Sequence, residues 1–180
     1  MTDPRVSVRS RSTLRDPGEG EELQQLAARV RLAATSMFRR SLHIRHVDAG
    51  SCNGCEAELQ LLSSPYYDLH RLGFFFTPTP RHADALLVTG VVTSPMEGPL
   101  RRTFEAMPDP KLVVAAGVCA IGGGAFAASP MTRGPLDRIL PVDVYVPGCP
   151  PSPLALLHGL LLAVGRARER YRPSEANHGA

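Results

Sequence analysis

The side chains of this 180-residue chain best suited to chemistry are its four cysteines, Cys52, Cys55, Cys119 and Cys149. They are spaced C-x2-C, then 63 residues to the third and 29 more to the fourth. In a reducing compartment, four cysteines serve as metal ligands or catalysts more readily than as disulfides. Two kinds of metal suit four thiolates: zinc, and iron in an iron–sulfur cluster. A structural zinc site usually has two tight C-x2-C knuckles. Here there is one, and Cys119 and Cys149 stand alone in glycine-rich segments, GVCAIGGG and VPGCPP. A cubane is larger than a single ion, so ligands far apart in sequence can reach its corners, and its sulfides accept backbone N–H bonds. Gly50, Gly54, Gly90, Gly117, Gly122, Gly123, Gly124 and Gly148 permit that close backbone approach. The spacing favours a [4Fe–4S] cluster; zinc and a thiol–disulfide or purely structural role are the alternatives.

Other candidate residues have plainer readings. The Gly122–Gly124 run is no G-x-G-x-x-G fingerprint and argues against a nucleotide site. His43, His46, His70, His82 and His158 lack metal-ligand spacing and read as surface or packed histidines, with a redox or proton role as the alternative. Glu56 and Glu58 follow the knuckle, either as favourable charge in a first helical turn or as a proton relay or partner contact. Asp48 reads as a turn cap.

The elements that must position the cysteines alternate between strand and helix. Strands are expected over 42–47, 72–77, within 83–92, over 111–115 and over 142–146, and helices over 56–63 and 98–107. The third strand is almost wholly apolar, as a strand buried on both faces should be. Ser152 as N-cap and Pro153 at the first helical position open a last helix that runs to about residue 170. This order predicts an α/β fold: a mostly parallel sheet with right-handed crossovers and helices on both faces. All four cysteines then fall in loops beyond the carboxyl ends of strands, the edge where such sheets bind ligands. The start of the helix after Cys149 adds a positive dipole end. Before this domain (41–172), residues 1–20 read as a flexible arm and 21–40 as a helix with a modest apolar stripe. Residues 173–180 read as a flexible tail.

Bulk composition narrows the function classes. With 43% apolar and 21% charged residues the chain reads as globular. A net charge of +3 with scattered arginines and no basic stripe argues against nucleic acid. The longest apolar run, residues 154–164, is shorter than the roughly 20 residues of a membrane helix. No secretory h-region follows the basic start, so a cytoplasmic protein is expected.

The segments HVDAGSCNGCEAEL, PRHADALLVTGVVT, GVCAIGGG and VDVYVPGCPPSP, in that order, resemble the small subunit of group 4 membrane-bound [NiFe] hydrogenases of the formate hydrogenlyase kind. The resemblance spans roughly residues 40–165. It extends to another member of the superfamily, the 20 kDa (PSST) subunit of NADH-quinone oxidoreductase, respiratory complex I. That subunit has adjacent cysteines where this chain has Cys52-Asn53-Gly54-Cys55, and the gap favours the hydrogenase branch. The resemblance implies a flavodoxin-like fold, and it implies that Cys52, Cys55, Cys119 and Cys149 hold the proximal [4Fe–4S] cluster. Glu58 matches the acidic residue kept after the knuckle. It further implies a large catalytic [NiFe]-type subunit, a ferredoxin-like iron–sulfur subunit and membrane subunits as partners, on the cytoplasmic face of the inner membrane. The chain would be part of an oxidoreductase and not catalytic alone. One departure is the AIGGG after Cys119, where relatives have an Asn-Ser-Gly-Gly type of sequence. A complex I-like quinone reductase, a related complex lacking nickel, and a zinc-stabilised interaction module are the alternatives.

Overall fold

The computed structural model describes residues 25, 28, 41–127 and 129–170. Gln25 and Ala28 are helical; the rest of the expected 21–40 helix, the 1–20 arm and the 173–180 tail lie outside the described residues. The five expected strands all form. They are β1 (Leu42–Asp48), β2 (Phe74–Phe76), β3 (Ala85–Thr89), β5 (Leu112–Ala116) and β7 (Val144–Val146), and they make one parallel sheet in the order β2-β1-β3-β5-β7. Two short strands absent from the sequence reading, β4 (Val92–Thr93) and β6 (Thr132–Gly134), pair antiparallel as a separate ribbon.

Alternation along the central strands sends side chains to two cores. Ala85, Leu87, Leu112 and Val114 face one, with α1 (Gly54–Leu62) and α4 (Pro153–Arg170) packed over them through Leu59, Leu62, Leu156, Leu157 and Leu160. Leu86, Val88, Val113 and Ala115 face the other, against Leu100 of α2 (Ser94–Glu105) and Ala120 of α3 (Val118–Gly122). Helices therefore cover both faces, and each buried leucine is worth about 1.5–3 kcal/mol. All five residues of β3 and of β5 are buried, the signature of a strand sandwiched between helical layers.

Two carboxylates, buried Asp84 and half-buried Asp143, start strands. Asp84 Oδ2 accepts the His43 N–H at 2.9 Å, and Asp143 Oδ2 accepts the Val113 N–H at 2.8 Å. Ser152 caps α4 as expected, its Oγ accepting the Ala155 N–H at 3.3 Å. Helix α2 begins at Ser94, four residues before the predicted start, with Pro95 in its first turn and Pro99 inside it. A proline reads most naturally as a helix opening, which hid the turn before Pro99. Among the described residues, no helix is long and apolar enough to cross a membrane.

Candidate metal centre

The cysteines reach the carboxyl edge of the sheet by three separate connections. After β1, Asp48 Oδ1 accepts the N–H groups of Gly50 and Ser51, both at 2.8 Å, closing the turn expected of it. Ser51 Oγ then accepts the Asn53 N–H at 3.2 Å. Asn53 is left-handed (φ 70°, ψ 0°), a conformation asparagine tolerates better than most residues. Its carbonyl accepts the Ala57 N–H at 3.2 Å and opens α1. The two-residue gap between Cys52 and Cys55 is this turn: one thiol precedes the helix, and the other lies in its first turn.

After β5, the Gly117 N–H donates to Val146 O and the Val118 N–H to Gly148 O, both at 2.9 Å, so the segment carrying Cys119 is tied to the one carrying Cys149. Cys119 lies in the first turn of α3, and Cys149 follows β7, joined to Pro150 by a cis peptide. The expectation that all four cysteines occupy loops is therefore corrected for two of them. Cys55 and Cys119 sit in helical turns, because α1 begins at Gly54 and a five-residue helix forms directly after Gly117.

Backbone packs directly on sulfur. A Cβ added at Gly117 would stand 2.7 Å from Cys55 Sγ, and one at Gly124 would stand 2.7 Å from Cys119 Sγ. Gly117 (φ 90°, ψ 153°) and Gly124 (φ 53°) also have positive φ, so glycine is required there for conformation as well as for space. Cys55 and Cys119 are half-buried, while Cys52 and Cys149 are exposed.

Burial pushes the Cys55 thiol up to about 12, helped by the negative charge of Glu56 and then by Cys119, Cys52 and Cys149. Burial also raises Cys119, with Cys149 and Cys52 adding to it and a hydrogen bond from the Ala125 backbone opposing. The helix starts at both cysteines favour thiolate, but desolvation outweighs them. The cysteine-bearing segments also meet in space: a Cβ at Gly54 would stand 3.6 Å from Cys52 Sγ and 3.9 Å from Pro150, and one at Gly117 would stand 3.7 Å from Gly148 O. Among the described residues, no three His, Cys, Asp or Glu side chains are arranged to close on a single metal ion. Four soft sulfur donors with backbone packed against them fit an iron–sulfur cluster, whose sulfurs take backbone N–H bonds.

The sequence reading missed the group beside this site. Thr89, at the end of β3 and fully buried, donates its hydroxyl to Glu56 Oε1 and lies 2.8 Å from His46 Nε2. His46 Nε2 is also 3.7 Å from Glu56 Oε1. The available signal was a threonine closing an otherwise apolar strand. Burial lowers the His46 pKa below its ordinary 6.5, opposed by Glu56 and Asp48, with Arg45 lowering it further. His43 is half-buried and His70 exposed, and both stack on Phe75, with ring centroids 5.8 and 5.0 Å away. Glu58 lies on α1.

Comparison with known proteins gives one consistent picture. Residues 52–163 match the family described as NADH ubiquinone oxidoreductase, 20 Kd subunit. The chain is similar to the probable membrane-bound hydrogenase subunit mbhJ of Pyrococcus furiosus, with 52% identity over 125 residues covering 69% of this chain and 75% of the relative. It is also similar to formate hydrogenlyase subunit 7 of Escherichia coli, with 40% identity over 162 residues covering 84% of this chain and 64% of the relative. Among solved structures it resembles a chain of the membrane-bound sulfane sulfur reductase, an archaeal respiratory membrane complex. The TM-score there is 0.64 at 34% identity, covering 83% of this chain and 78% of that one.

Proposed function

The chain belongs to the NADH ubiquinone oxidoreductase 20 kDa subunit family, and from that premise we propose that it is the electron-transfer small subunit of a membrane-associated, hydrogenase-like complex. In this reading Cys52, Cys55, Cys119 and Cys149 hold one [4Fe–4S] cluster. The observation that carries it is the meeting of the three connections that bear the four cysteines, with glycine backbone against two of the sulfurs. Bound there, the cluster supplies one-electron transfer. The chain's residues do the rest. The Asp48 turn and left-handed Asn53 aim the first two thiols, the Ala125 N–H bonds Cys119, and buried apolar side chains keep water from the inner side of the site.

Val118, Phe126 and Met131 are exposed apolar side chains on the segment that carries Cys119. Together with exposed Cys52 and Cys149 they offer a surface for a large catalytic subunit, which in this reading seals the centre from solvent. A ferredoxin-like subunit supplies or removes electrons, and membrane subunits hold the assembly to the cytoplasmic face. Similarity to mbhJ and to formate hydrogenlyase subunit 7 supports the hydrogenase branch. Similarity to the sulfane sulfur reductase supports a second reading, a related complex whose large subunit lacks nickel ligands. Two C-x2-C motifs in the large subunit, or their absence, decide between these.

The test is metal analysis of the anaerobically purified complex. About four iron and four sulfide per chain are expected, and Cys119→Ala should lose them. A Cys119→Ala protein with full iron and an unaltered reduced-state EPR signal would overturn the ligand assignment, and zinc in place of iron would overturn the redox reading.

A further inference from the structure

An acidic residue in a first helical turn is ordinarily a solvated partner of the helix dipole. Glu56 is in that position on α1, directly after Cys55, but it is not solvated: its side chain is only 12% exposed. Oε1 is anchored by the buried Thr89 hydroxyl. Oε2 is buried and has no hydrogen-bond partner among the described residues. Glu56 lines an open cleft of about 530 Å³ together with Arg45, His46, Asn53 and Gln60. Burying a carboxylate costs stability unless its charge is paired and hydrogen-bonded. Such a cost is characteristic of functional sites, where a charge is placed for its field.

Arg45 lines the same cleft, but among the described residues no arginine or lysine lies within ion-pair distance of Glu56. The single hydroxyl proton of Thr89 is committed to Glu56, so the 2.8 Å contact with His46 requires Nε2–H of the imidazole as donor. The chain runs from His46 to Thr89 to Glu56. Burial disfavours the imidazolium, which leaves His46 a neutral donor and not a counter-ion. Among the described residues, His46 is the one ion-pair partner within reach of Glu56.

We propose that Glu56 is a tuning residue: its buried carboxylate, held beside Cys55 by Thr89 and His46, lowers the reduction potential of the centre that Cys55 helps to hold. This rests on the reading of that centre as a one-electron cluster. The sign follows from Coulomb's law, since a fixed negative charge stabilises the more positive, oxidised form and the low local dielectric strengthens the effect. Thr89 is a positioning residue, acting through Glu56.

The experiment is EPR-monitored redox titration of the purified complex, with iron measured in every sample. Glu56→Gln keeps the shape and removes the charge. It should raise the reduced-to-oxidised ratio at a fixed ambient potential by about tenfold, which is about 59 mV for a one-electron couple. Thr89→Val should move the midpoint in the same direction by less, Thr89→Ser should restore it, and Thr89→Val should add nothing in the Glu56→Gln background. An unchanged midpoint in Glu56→Gln with full iron overturns the proposal. Should Glu56→Gln fail to load iron, equal midpoints for Thr89→Val and Thr89→Ser overturn it. A wild-type complex without iron instead overturns the reading of the centre on which the proposal rests.

Discussion

Replacing Gly117 by alanine tests the link between backbone and sulfur most directly. The new methyl would stand 2.7 Å from Cys55 Sγ and 3.7 Å from Gly148 O, on a residue whose φ of 90° and ψ of 153° suit glycine alone. Holding a non-glycine residue there costs about 1–3 kcal/mol. Overpacking the contact adds about 1–3 kcal/mol. The nearest atom belongs to a side chain that can rotate, so the expected total lies in the lower half of that range, about 3 kcal/mol. For a chain of this length that lowers Tm by about 6–12 °C. The relief that limits the cost is rotation of Cys55 away from the shared site, so the variant should also bind less iron. Gly122→Ala is the control: it sits in the last turn of α3 with nothing within 4 Å of its added methyl. It should be neutral or gain up to about 1 kcal/mol. Thermal unfolding and iron content of the two variants are compared. Wild-type Tm and iron in Gly117→Ala would refute the claim that this glycine is needed to seat Cys55.

Asp143→Ala removes the acceptor of the Val113 N–H at the start of β5 and should cost about 1–3 kcal/mol in urea unfolding; a change within error would mean water replaces the carboxylate. Leu87→Ala empties a side chain buried between β3 and the α1/α4 layer and should cost about 2–5 kcal/mol in the same assay. Because burial holds the His46 pKa below 6.5, the folded chain resists a proton that the unfolded chain accepts. The stability this contributes is complete above the unfolded value and is lost as pH falls through it toward the lowered one. Unfolding followed from about pH 7 to about pH 5 should show a steeper loss in the wild type than in His46→Gln, and equal slopes would refute the assignment.

The fold was legible where one physical demand dominates. LVVAA is apolar throughout, and ALLVT is apolar up to its closing threonine, because helices cover both faces, so β3 and β5 stand out from any amphipathic pattern. Ser152 and Pro153 announce α4 because a cap and a fixed φ are local requirements. What was not legible depends on contacts between distant segments. The β4–β6 ribbon pairs residues about 40 apart in sequence through one bulged ladder, and neither strand is long enough to show a period. The helical turn at Cys119 is hidden by glycines on both sides of it. At the site, the thiol positions followed from counting strands. The His46–Thr89–Glu56 chain did not, because three residues from β1, β3 and α1 meet only once the parallel register of β1 and β3 is set.

The distribution of the thiols over three connections also orders events in time. As the chain leaves the ribosome, Cys52 and Cys55 arrive first and can offer only two sulfurs. Cys119 joins them when β5 enters the sheet. Cys149 is delivered by β7, the outermost strand on that side, which pairs only with β5. The four-sulfur set therefore comes together only when β5 and β7 are both in the sheet.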